Sequence, residues 1–173
     1  SWVSPKDAIE KAGNFRRANY VRGLSELGLV IAREYESGDE YESGDEYESG
    51  DEYESEDEKP YRMGVVAVFV NDSGKVLTCK TAKYSEWVFP QGGVEKGESF
   101  EQALYREVLE EIGNNEFDII RKADSLMSYD FLPTRRFDFR GQMQQWYLCL
   151  TSSLAWGRIW TTPWMLILWP STG

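Results

Sequence analysis

Three carboxylates share one five-residue span: Glu107, Glu110 and Glu111. At positions i, i+3 and i+4 their side chains would project from neighbouring points over a single helical turn. Three anions held so close repel one another unless something positive lies among them. Hard divalent cations such as Mg2+ and Mn2+ prefer oxygen donors of this kind. The glycine-rich stretch ahead of them, beginning Gly92-Gly93, can bring backbone carbonyls and amides close to the same point. A loop and helix of this design can hold a metal against a diphosphate. The blander alternative is a solvated helix face, which is what clustered glutamates usually form. Against it, Glu111 lies about 20° from Leu104 on a helical wheel at ~100° per residue, so it borders the apolar stripe of Leu104, Val108 and Ile112. A glutamate placed there wants a partner. Glu98 and Arg106 offer an ion pair that would lock the loop to the helix and set the geometry of the carboxylates.

The rest of the composition narrows the chemistry. The chain has no histidine, which excludes Ser-His-Asp and Cys-His catalysis and any His-ligated zinc. Its two cysteines, Cys79 and Cys149, do not make a disulfide framework. Carboxylates, Lys, Arg and Tyr must then do any catalytic work. The net charge of −11 hides an asymmetry. Residues 34–58 carry 14 acidic and no basic residues, so the remainder holds 19 basic and 16 acidic ones, a net of +3. A slightly basic folded part suits an anionic ligand.

The elements that must position the site are legible from pattern. Ser99 to Ile112 is predicted as a helix, with Ser99 and Gln102 forming a capping box and Gly113 just past its end. Val65 to Val70 is a continuous apolar, β-rich run expected as a buried strand. Asn71-Asp72-Ser73-Gly74 is a turn, and Lys75 to Lys80 returns as a second strand. Trp87 to Gly93 reads as a loop, with later strands near Ser125–Leu132 and Gln144–Leu150. Before all of this stands a repeat: YESGDE at 35–40, 41–46 and 47–52, then YESEDE at 53–58. With no aliphatic residue it cannot bury a core, so residues 31–60 are expected as an extended, disordered linker. A decoy for basic partners, or a kinase target at Ser37, Ser43, Ser49 and Ser55, is the functional alternative.

The stretch GGVEKGESFEQALYREVLEEIG resembles the Nudix signature, G-x5-E-x7-R-E-U-x-E-E-x-G-U with U bulky and aliphatic. Gly92, Glu98, Arg106, Glu107, Val108, Glu110, Glu111 and Gly113 fill eight of its nine defined positions, and Asn114 departs at the ninth. The resemblance implies an α/β/α sandwich with a mixed β-sheet, incomplete at the C-terminal end. It implies Mg2+ or Mn2+ as cofactor, held by Glu107, Glu110, Glu111 and the Gly92 carbonyl. Glu98 and Arg106 complete the catalytic set. The flanks, WVFPQGGVEKGE (87–98), Tyr61-Arg62, YDFLP (129–133) and GQMQQWYL (141–148), resemble one subgroup: bacterial RNA pyrophosphohydrolases and plant-type diadenosine tetraphosphate hydrolases. By position, Arg62 and Lys80 match basic residues that approach substrate phosphates. Tyr129 is expected to bind substrate, and Tyr61, Trp87, Phe89 and Tyr129 are candidates to stack on a base. The implied reaction is attack of a metal-activated water on phosphorus in a dinucleoside polyphosphate or an RNA 5′ end. The partners expected are such a nucleotide or RNA, with neither DNA nor a membrane. The longest apolar run, Trp164–Trp169, is far short of a span.

Both termini depart from a single domain of that subgroup. After Leu150 the resemblance stops, and 151–173 contains no Asp or Glu to act as a distal carboxylate. Residues 1–28 look like the C-terminal piece of such a domain, starting at Trp2-Val3-Ser4-Pro5 and followed by a helix containing FRRANY (15–20). One account, the favoured one, is a tandem gene cut so that the tail of one repeat precedes the next core; the other is a circular permutation in which 1–28 docks on the core that follows. On either account 61–150 is the core and 151–173 an atypical Trp-rich tail. The location expected is cytoplasmic, with an organelle left open because the start at Ser1 reads as truncated. A catalytically impaired module that binds nucleotide or protein is the competing function, and an RNA-binding protein without turnover the third.

Overall fold

The computed structural model describes residues 1–35, 59–81, 86–114, 116–131 and 138–151, apart from the side chains of Asn14 and Phe15. The acidic repeat from Glu36 onward, Leu132-Pro133 and the tail beyond Thr151 lie outside the described residues. Two long strands form the spine. β2 (Tyr61–Val70) and β9 (Gly141–Leu150) pair in parallel along their whole lengths, from Tyr61 opposite Gly141 to Val70 opposite Leu150. The remaining pairings are antiparallel, so the sheet is mixed. Its order is β1 (Trp2–Val3), β3 (Val76–Leu77), β2, β9, β7 (Asp118–Lys122). β6 (Gln91–Gly93) adds to β2, and β8 (Met127–Asp130) adds to β9. β4 (Cys79–Lys80) and β5 (Trp87–Val88) make a separate ribbon.

The continuous apolar run in β2 has its explanation in burial on both faces. Successive strand residues point to opposite sides. Val65, Ala67 and Phe69, with Tyr147 and Cys149 of β9, meet Leu104, Val108 and Ile112 of α3 (Phe100–Ile112). Val66 and Val68, with Trp146 and Leu148, meet the opposite layer. That layer comes from the start of the chain: α1 (Pro5–Lys11) and α2 (Asn14–Glu26). Ile9, Tyr20 and Leu24 are buried there. The result is an α/β/α sandwich. The third layer, expected to be incomplete at the C-terminal end, is supplied by residues 5–26.

Docking of the N-terminal segment is specific. Trp2 and Val3 pair with Leu77 and Val76, extending the sheet. Ser4 caps α1 in a full capping box with Asp7, and Pro5 stands at its first turn. Tyr20 stacks on Phe89, with centroids 4.8 Å apart, and meets Trp146 edge-on at 5.4 Å. The Tyr20 hydroxyl accepts the Phe89 amide hydrogen at 3.2 Å. Gly23 lets α2 lie against Trp146, because a β-carbon there would come within 2.5 Å of the indole ring. No helix among the described residues is long and apolar enough to cross a membrane.

Candidate active site

α3 holds the carboxylates because its ends are well specified. Ser99 and Gln102 close the capping box in both directions, and Gly113 ends the helix in the left-handed region at φ 80°. Leu104, Val108 and Ile112 face the core, which fixes the helix's rotation and turns Glu107, Glu110 and Glu111 toward β6 and solvent. Arg106 ties the preceding loop to the helix. Its Nε and Nη2 donate to Glu98 at 2.8 and 2.9 Å, a bidentate pair, and Nη2 also donates to the Gly93 carbonyl at 2.8 Å. Nη1 donates to Glu107 at 2.9 Å and lies 3.6 Å from Glu110. The hydrogen bond from Arg106 holds the Glu98 carboxyl below the usual carboxylate range. The guanidinium in turn is held more firmly protonated than usual, Glu98 being the chief cause.

Glu107 and Glu111 behave differently. Burial raises the Glu107 carboxyl, and Arg106 partly offsets this. Glu111 accepts the Gln91 amide hydrogen at 3.0 Å. Although the residue as a whole is open to solvent, its carboxyl end is crowded by protein. That crowding pushes it up to about 8, with Glu107 and Glu110 adding repulsion. Beside them Gly92 brings its backbone so near that a β-carbon would coincide with the Glu107 carboxyl. Any larger residue there would force the Glu107 side chain to swing away.

The donor set is all oxygen: three carboxylates with the Gly92 backbone against one of them. That chemistry fits a hard divalent ion. Among the described residues, however, no three acidic side chains converge on one point. Glu107 is drawn to Arg106 and Glu111 to the β6 amide, so ligation of a common ion requires these side chains to turn.

The structure brings Arg62 to this cluster, and Tyr129 lies on the far side of Arg62 and the glutamines. Arg62 lies against Gly93 and stabilises the charged form of Glu107. The Tyr129 hydroxyl donates to Gln142 at 2.9 Å and is reached by both Arg16 and Arg62. Lys80 is exposed on β4 opposite Trp87. Tyr61 donates to Asp130 at 2.6 Å, with Arg140 over its ring. Trp87 is half-buried beneath Lys11. Phe89 cannot stack on a base: it is fully buried between Tyr20 and Trp146. Sequence reasoning missed Gln91, Gln142 and Gln144. Gln144 is buried and donates to Gln91 at 2.7 Å and to Gln142 at 2.9 Å. An alternation of glutamines at 142 and 144 in a strand that otherwise enters the core was the available signal.

A metal-compatible carboxylate helix clamped to a glycine loop, on a mixed sheet covered by helices, defines the class. The family model for the NUDIX domain matches residues 60–159, more than half of the chain, and the chain belongs to the Nudix family. It is similar to an RNA pyrophosphohydrolase of Campylobacter jejuni, at 41% identity over 100 residues, covering 53% of this chain and 64% of that protein. An RNA pyrophosphohydrolase of Rickettsia bellii is 42% identical over 96 residues, covering 51% and 60%. The chain thus spans less than two thirds of the length of these curated relatives. Among solved structures, the MutT protein of methicillin-resistant Staphylococcus aureus 252 aligns at 25% identity and a TM-score of 0.42, over 65% of this chain and 81% of that one.

Proposed function

We propose that this chain is a metal-dependent pyrophosphohydrolase acting on the 5′ end of a triphosphorylated RNA, with a dinucleoside polyphosphate as the second substrate class. The observation that carries this reading is the intact assembly of Glu107, Glu110 and Glu111 with the Glu98–Arg106–Gly93 clamp. A retired site has no reason to keep all of it. The named relatives favour RNA as the substrate.

Glu107, Glu110, Glu111 and the Gly92 carbonyl would hold Mg2+ or Mn2+. Bound metal supplies Lewis acidity toward water and phosphate and neutralises the charge that develops at phosphorus. Arg106 and Glu98 hold the loop against the helix, so that the donors keep one spacing. Arg62 stands beside the carboxylates as a cation for phosphate oxygens, and Tyr129 offers a ring and hydroxyl next to it. Lys80, exposed on its ribbon, is proposed to meet the outer part of the substrate. Solvent must be displaced from this face when substrate covers it, which strengthens each of these charges.

Incubation with Mg2+ and either a 5′-triphosphorylated RNA or diadenosine tetraphosphate tests the reading. Release of pyrophosphate or phosphate from the RNA is expected. Product from the dinucleotide alone would reassign the substrate. No product from either, with metal bound, would favour a binding module without turnover.

A further inference from the structure

A chain of hydrogen bonds runs from the N-terminal helix to the carboxylate cluster. At one end Arg16 of α2 bonds Glu86 at 2.8 Å and reaches the Tyr129 hydroxyl. Tyr129 donates to Gln142 Oε1 at 2.9 Å. The same oxygen accepts from Gln144 Nε2 at 2.9 Å, and that nitrogen also donates to Gln91 Oε1 at 2.7 Å. The backbone N–H of the same Gln91 donates to Glu111 at 3.0 Å, so the last link runs through the residue's own covalent frame. Each link has a donor facing an acceptor, with Gln142 Oε1 accepting from both Tyr129 and Gln144. Gln144 is its centre, only 3% exposed, with both amide hydrogens committed.

We propose that Gln144 is a positioning residue through which the docked N-terminal helix sets the Glu111 carboxylate for metal. Three features of the site support this. Gln91 is the first residue of β6, opposite Val66 at the end of the pairing with β2, and its side chain accepts from Gln144. The Gln91 side chain is thus a second tether, beside that pairing, on the residue whose backbone N–H donates to Glu111. The buried face of β9 leaves Gln144 no water to replace a lost partner. Tyr129 is gripped from the far side by an arginine belonging to a segment joined to the core through residues 36–58. Docking of that segment and placement of Glu111 are then two ends of one network.

The inference rests on the proposed metal role of Glu111. Mn2+ affinity of the full chain, read by electron paramagnetic resonance, separates the two. Gln144→Leu is expected to weaken Mn2+ about tenfold, the lower end of what outer partners of metal ligands contribute. Gln91→Met leaves the backbone bond to Glu111 in place and removes only the side-chain link, and keeps the test open if Gln144→Leu fails to fold. Arg16→Met is expected to weaken Mn2+ about threefold alone and to add nothing in the Gln91→Met or Gln144→Leu background. Wild-type affinity in folded Gln144→Leu and Gln91→Met, or Arg16→Met effects that multiply with theirs, would overturn the relay alone. A wild-type chain that binds no Mn2+ would overturn the metal reading and the relay together.

Discussion

Arg106 is the residue on which the site's geometry turns. It makes four polar contacts within 3 Å that join the glycine loop, the Glu98 carboxylate and the helix. Arg106→Gln retains a donor but loses the planar fork. The expected cost is about 1–3 kcal/mol in urea denaturation, the range for hydrogen bonds to charged groups at a partly exposed site. Metal binding should weaken in parallel, because Glu98 and the Gly93 carbonyl lose their common anchor. A variant as stable as the parent would show the clamp to be incidental.

The Glu111 carboxyl gives a pH dependence with a definite sign. Its folded-state pKa of about 8 stands above the ordinary value of 4.5. The folded protein therefore holds this proton more tightly than the unfolded chain. The associated stability is complete below about 4.5 and is lost as pH rises through about 8. In chelator, the melting temperature should fall between pH 5 and pH 8.5, and Mg2+ should restore it at the alkaline end. Glu111→Gln should flatten the profile. An unchanged slope in that variant would remove Glu111 as the cause.

At the scale of elements, α2 is where a small change reads out most clearly. Gly23 sits in the helix interior, where alanine would ordinarily be favoured by about 1 kcal/mol. Here the added methyl would strike Trp146, which is fully buried and cannot move aside. Gly23→Ala should therefore lose about 1–3 kcal/mol net of the helical gain, seen as a lower melting temperature. A stabilised variant would mean that α2 does not lie on Trp146.

Elements were legible in unequal measure. α3 was readable to the residue because its signals are local: a capping box, a periodic stripe and a closing glycine. β2 was readable because burial on both faces leaves an unbroken apolar run. β7 was not, since Asp118–Lys122 is an edge strand largely open to solvent, and only pairing with β9 makes it a strand. β6 hid inside a stretch that reads as a glycine loop, because Gln91-Gly92-Gly93 carries neither apolar alternation nor β-branched residues. In the site, the neighbouring placement of Glu107, Glu110 and Glu111 was legible from helical spacing, and the Glu98–Arg106 ion pair from opposite charges on the loop and the helix. The glutamine chain was not, because its members come from five elements, α2, α3, β6, β8 and β9, that meet only in the fold. Phe89 was misread because nothing in its neighbourhood of sequence reveals Tyr20, which lies 69 residues earlier.

At the scale of the whole molecule, the segment before the acidic repeat belongs to the same core as the domain after it. Ile9 and Leu24 are as fully buried as the core of the sheet, and Val3, Tyr20 and Leu27 are buried too. A specific protease site inserted between Gly44 and Asp45 tests this. After cleavage the two pieces should elute together in size-exclusion chromatography and separate only in denaturant. Pieces that part under native conditions would make the first helices an appendage. Joined through residues 36–58, the segment docks as an intramolecular partner at high effective concentration.

That arrangement carries a consequence for biosynthesis. The surface that receives α2 is completed by Trp146 and Leu148, in the last strand of the sheet. Gly28 therefore leaves the ribosome 122 residues before Leu150. At about 5–20 residues per second this is a delay of roughly 6–24 s. Within this chain, the surface that Tyr20, Leu24 and Leu27 share with Trp146 and Leu148 is complete only at the end of that interval, and until then the segment is open to chaperones and proteases.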